Sequence, residues 1–204
     1  MAEPAARTAT RLSRSARRAQ LLAAARSVFV ANGYHAAGMD DIAEHAGVSK
    51  PVLYQHFPSK LELYLALLEE SSDEIVSRVR TALASTQDND GRVHRAVEAY
   101  FEFVADRGQA YRLVFESDLR GQAEVERIVD RATDGCIEAI TDTITTDTGL
   151  DQERSRLLAS GLVGLSQVSA RYWLSRSPDL PRAEAVAMLS TLAWRGISRF
   201  PRQG

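Results

Sequence analysis

The stretch from Met39 to Phe57 constrains the fold more than any other part of the chain. Two short helices, Met39–His45 and Lys50–His56, are predicted on either side of Gly47-Val48-Ser49. Helices that cross this closely need a small residue at the contact, and Ala43 supplies it. The sharp turn needs a residue that tolerates positive φ, and Gly47 stands there. Val48 plugs the corner, while Ile42, Ala46 and Leu53 form a small core behind the second helix. Ser49 can cap that helix, and Pro51 lies in its first turn, where a missing N–H costs least. These demands are met in register, and together they describe a helix-turn-helix.

The rest of the chain continues in helical rhythm. Leu21, Leu22, Ala25, Val28 and Phe29 lie on one face of a helix expected from about Arg17 and stopped by Asn32-Gly33. Ser59-Lys60-Leu61-Glu62 is a capping box, and the helix it opens is expected to run past Thr81 to the polar run Gln87–Gly91. Further stripes follow at Val93–Val104, Tyr111–Phe115, Val125–Ile144 and Leu157–Trp173, with a last helix from about Arg182. No segment alternates as a strand does, and no long repeat is present. The expected fold class is all-α.

Charge and cysteine content narrow the function. The chain of 204 residues carries a net charge of −2. Residues 1–60 nevertheless hold eight basic side chains against four acidic ones, and six arginines with no acid stand between Pro4 and Met39. Such asymmetry points to a polyanion at the N-terminal end, or to a solvated basic arm. Cys136 is the one cysteine; on an apolar stripe without a nucleophile motif it reads as an inert core thiol. His35 and His45 have no metal-ligand spacing with it, so no metal site is expected. Neither a Gly-rich phosphate loop nor an HExxH pattern occurs, so no catalytic residues are assigned. No apolar run approaches the ~18–20 residues of a membrane span. The chain is expected to be cytoplasmic, with no membrane partner.

The motif residues also carry a family likeness. Arg26, Phe29, Gly33-Tyr34, Met39 to Ala43, Ala46 to Phe57 and Ser59-Lys60 resemble the TetR-type transcriptional regulators. Gly38 departs from that pattern, which often has Thr or Ser as the helix cap. The likeness continues through Lys60–Ala66, Gln109–Glu116 except Ala110 and Val114, Gly161–Gly164 and Ala170–Leu174. There it is similar to the TetR-type activators of fatty-acid synthase genes, which sense long-chain acyl-CoA.

The resemblance implies a flexible basic arm (1–16), a three-helix DNA-binding domain (17–62) and an effector-binding and dimerisation domain (63–204). It implies that Lys50–His56 enters the major groove of double-stranded operator DNA, with Met39, Lys50, Pro51, Val52, Tyr54, Gln55 and His56 as contact candidates. Lys60, at a helix N-terminus, is placed for a phosphate, and the arginines from Arg7 to Arg18 for the backbone or minor groove.

An effector pocket is implied around Tyr100, Phe101, Phe103, Val104, Leu113, Phe115 and Trp173, with Arg107, Arg112 or Arg171 as partners for coenzyme A phosphates. The last two helices, with Gly161, Gly164, Ser166, Ser169, Leu189, Leu192 and Trp194, are the expected homodimer interface. No cofactor is expected beyond the lipid effector. The competing reading within the family is a repressor of an efflux or catabolic operon that senses an aromatic or cationic compound. Outside it stand an enzyme and a helical adaptor.

Overall fold

The computed structural model describes residues 12–106, 119, 121–177 and 179–196. Among them are eight helices and no strand: α1 (Arg14–Ala36), α2 (Met39–His45), α3 (Lys50–His56), α4 (Lys60–Ala84), α5 (Asn89–Asp106), α6 (Ala123–Thr148), α7 (Gln152–Arg176) and α8 (Arg182–Arg195). The short helix expected around Tyr111, Val114 and Phe115 lies outside the described residues, as do Leu113, Arg7, Arg11, Arg107 and Arg112.

α1 continues past the expected stop at Asn32-Gly33 to Ala36, kinking at Gly33, and two further helix boundaries differ from the expected ones for a local reason. α1 starts at Arg14 because the Ser13 hydroxyl accepts from the Ala16 N–H at 3.1 Å, satisfying a donor that the helix itself leaves open. α4 ends at Ala84, short of the polar run. That run then opens α5: the Asp88 carboxylate accepts from the Gly91 N–H at 2.8 Å, and the Asp88 carbonyl accepts from the Arg92 N–H at 2.8 Å. A cluster of Asp, Asn and Gly therefore serves as both the break and the next cap.

The chain divides into two compact units between Leu67 and Leu68. The division falls within α4, later than the expected 62/63, because Tyr64 packs its ring against Phe29 and Tyr34 of α1. The first unit is built around Leu21, Ala25, Phe29, Ile42, Leu53, Phe57 and Leu63, all at most 2% exposed. In the second unit, α6 pairs along α7, and α5 packs against α7 and α8. Val79, Phe103, Val104, Val125, Cys136 and Val163 are buried there.

Candidate nucleic-acid interface and apolar cavity

Backbone hydrogen bonds lock the turn between α2 and α3. The Val48 N–H reaches back to the Ala43 carbonyl at 3.0 Å, and the Gly47 N–H to the Glu44 carbonyl at 2.9 Å. This paired closure is a Schellman motif, and it needs the φ of +65° that Gly47 adopts. Gln20 adds a tie from α1, its amide donating to the Ala46 carbonyl at 2.8 Å. Ile42, Ala43, Ala46 and Leu53 are all buried behind α3.

Lys50, Pro51, Tyr54 and Gln55 are exposed on α3, while Val52 and His56 are half-buried. The exposed four recur at one-face spacing, and Tyr54 keeps 46% of its surface in solvent. The Lys50 ammonium meets the Asp40 carboxylate at 2.5 Å. That hydrogen bond, above all, raises the lysine pKa, so the side chain stays cationic at neutral pH.

Two sequence-derived candidates stand elsewhere. Met39 begins α2 with its side chain buried, so it is not presented alongside the α3 residues. Lys60 does not point outward for a phosphate: its ammonium is held by backbone carbonyls at the end of α1. Of the arm arginines that are described, Arg17 donates to Gln20 at 2.7 Å and Arg18 lies 4.5 Å from the Phe57 ring centroid.

The second unit contains an apolar cavity of about 500 Å³. Val93, Ala96, Val97 and Tyr100 of α5 form one wall, Ile140 and Ile144 of α6 another. Leu158, Leu162 and Leu165 of α7, with Trp194 of α8, complete it. At one end Arg92 pairs with Asp147, and its guanidinium also donates to the Thr86 carbonyl (3.0 Å), Gln87 (2.9 Å) and Asn89 (3.0 Å). Of the expected effector residues, Tyr100 lines this cavity. Phe101 and Trp173 instead face each other at 5.5 Å in a second apolar groove of about 480 Å³ lined by α5, α7 and α8. Phe103 and Val104 are buried but line neither space. Leu113 and Phe115 fall outside the described residues, and Arg171 is exposed on α7.

A further surface feature belongs to α7 and α8. Leu157 is 73% exposed, Val168 56% and Tyr172 63%, and Leu158, Met188 and Trp194 are each about half exposed. Leu157, Gly161, Val168 and Tyr172 share one helical face.

Residues 21–67 match the bacterial regulatory proteins of the tetR family, and residues 89–196 match the tetracyclin repressor-like C-terminal domain. The chain belongs to the TetR family. It is 51% identical to the HTH-type transcriptional activator FasR of Mycolicibacterium smegmatis over 96% of its own length and 89% of that protein. A TetR-like regulator from Rhodococcus sp. RHA1 superposes with a TM-score of 0.72 at 29% identity, covering 93% of this chain and all of that one. FadR of Bacillus subtilis, solved with stearoyl-CoA, shares the fold with a TM-score of 0.72 at 20% identity, over 88% of this chain and 98% of that one.

This TetR-family chain is thus a transcriptional regulator and not an enzyme. Its thiol agrees with that: Cys136 is 1% exposed, and burial pushes its pKa up, which keeps it protonated and unreactive. Among the described residues no cluster of His, Cys, Asp or Glu can hold a metal ion, and no helix is long and apolar enough to cross a membrane. In the sequence, the cavity residues Val93, Val97 and Ile140 are legible only as core stripes, since helical spacing marks a buried side chain without telling wall from filling. Leu158 and Trp194 give no sign there that they line a cavity as well as lie on an exposed face.

Proposed function

We propose that the chain works as a cytoplasmic homodimer that binds the operators of lipid-biosynthesis genes and is released by long-chain acyl-CoA. The observation that carries this reading is the 51% identity to FasR, which runs through the second unit as well as the first. The apolar cavity lies in that second unit, and its size falls within the ~300–1,000 Å³ common for small-molecule sites. Stearoyl-CoA is held by the B. subtilis FadR, which shares the fold. Each methylene moved from water into such a space contributes about 0.8 kcal/mol. Affinity therefore climbs with chain length until the cavity is full. A cationic drug suits the cavity less well, because Asp147, the one carboxylate lining it among the described residues, is already engaged by Arg92.

The exposed apolar face of α7 and α8 suits a second copy. Two α3 helices must meet the major groove about one repeat (~34–36 Å) apart, or a multiple of it, and a monomer reads only half a site. An acyl chain weakens operator binding only if it binds better to a form in which that spacing is wrong. Helix α4 starts in the first unit at Lys60 and ends in the second at Ala84, which makes it the covalent route for such a change.

Trp194 lines the cavity and reports on its filling. Titration of the protein with acyl-CoA of rising chain length should change tryptophan fluorescence with affinity that increases along the series. In Ala96→Phe, a benzyl group occupies space that the unaltered wall leaves to the ligand. Displacing about three methylenes, at about 0.8 kcal/mol each, weakens long-chain acyl-CoA more than about tenfold and short chains less. Equal affinity in the two proteins would remove the cavity from the account.

A further inference from the structure

Lys60 opens α4, yet its side chain runs back to the end of α1. The ammonium donates to the carbonyl oxygens of Tyr34 at 2.9 Å, Ala37 at 2.9 Å and His35 at 3.3 Å, and lies 4.6 Å from the centroid of the Tyr34 ring. An ammonium has three N–H donors and no acceptor, so these bonds use all of them. The carbonyls it meets belong to the turn after Gly33, where α1 kinks at a φ of +74°. They are the acceptors that a helix end leaves without partners. Tyr34 packs its ring edge-on against Tyr64, one turn further along α4, at 4.9 Å. Directly after Ala37 the chain enters α2, where the Asp41 carboxylate accepts from the Gly38 N–H at 3.0 Å.

We infer that Lys60 is a positioning residue for operator recognition, acting through the 34–37 turn and not by touching a phosphate. The turn is the covalent lead from α1 into α2, and α2 and α3 are locked together by the Gly47 closure. What holds the turn against α4 therefore contributes, beside the Gln20 tie and the core behind α3, to the angle at which α3 is presented. Without the ammonium, three carbonyls lose a charged donor, and the turn is free to exchange it for water. Charge-assisted hydrogen bonds of this kind are about twice as strong as neutral ones. This inference rests on the operator binding of the family and not on the lipid reading.

The test uses the full chain and a duplex selected from random-sequence DNA by the unaltered protein, so no gene assignment enters. Affinity for that duplex is measured over a series of salt concentrations for Lys60→Met and Lys60→Arg, with circular dichroism and a thermal melt on each. The expected result is a Met variant that is folded at the assay temperature, binds about tenfold more weakly, and keeps the slope of log affinity against log salt. The Arg variant stays weak too, because a planar guanidinium fork does not converge on three carbonyls as an ammonium does. A slope shallower by about 0.9 for each phosphate that is no longer neutralised, with affinity restored by arginine, would overturn the inference in favour of a phosphate ligand. Unchanged affinity with only a lower melting temperature would overturn it in favour of a purely structural lysine. Should Lys60→Met fail to fold, Lys60→Arg alone decides: parental affinity refutes the inference, and weak binding with the parental slope supports it.

Discussion

Val168→Glu is expected to separate the two copies and to abolish specific operator binding in the same step. Val168 stands on the exposed face of α7 with Leu157, Gly161 and Tyr172, and Met188 and Trp194 are exposed on α8. So many large apolar side chains on two adjacent helices are more than scattered exposure accounts for. In a two-fold interface the same patch appears on both copies. One substitution therefore places two carboxylates in the seam, at a cost of several kcal/mol in desolvation and like-charge repulsion. That is more than about a hundredfold in dimer affinity. Light scattering coupled to size exclusion should report the monomer mass, while circular dichroism stays helical because Val168 is not part of the intrachain core. Operator binding should fall to the level of non-specific DNA, since one α3 reads one half-site. A dimer of unchanged stability would place the interface elsewhere.

Phe29→Ala carries the second large effect. The ring is fully buried, meets Tyr64 edge-on at 5.3 Å and stacks on Tyr34 at 5.9 Å. Truncating a buried phenylalanine costs about 3–5 kcal/mol, from reduced burial together with the cavity left behind. The first unit ends at Leu67, and units of that size have little stability in reserve. We expect operator binding to disappear at growth temperature, with an early melting step that removes only part of the helical signal. The second unit has its own core around Val79, Phe103, Cys136 and Val163 and should keep a separate, later transition. A single cooperative melt displaced by less than about 1 kcal/mol would contradict this description of the first unit.

The parts of the molecule that are legible in sequence are those whose demands are local. Gly47 has to be a residue free to take positive φ, Ala43 has to be small, and Leu53 has to face inward; each demand is settled within a few residues, and the structure places all three accordingly. Lys60 shows where local reasoning stops. A cation at a helix N-terminus reads as a phosphate contact only while its surroundings are unknown, and its real acceptors lie 23–26 residues earlier. The tie from Gln20 to the Ala46 carbonyl spans 26 residues and follows no periodic rule. The cavity is hidden for a related reason. Its wall comes from five helices once Leu83 of α4 is counted with α5 to α8, and whether Val97 faces a void while Phe103 fills space depends on how those helices pack. Aromatic bulk at Phe101 and Phe103 marks burial for both, yet Phe101 lines the second groove and Phe103 neither space.

Operator binding and the acyl-CoA signal can be followed together in one titration. Labelled DNA from upstream of the source organism's fatty-acid synthase genes is mixed with the purified protein at fixed salt, with scrambled DNA as control, and anisotropy is followed as acyl-CoA of rising chain length is added. The expected result is specific binding to that DNA, released by long-chain acyl-CoA and left intact by short chains and by free coenzyme A. Specific binding that no acyl-CoA weakens, or no preference for that DNA over the scrambled control, would contradict it.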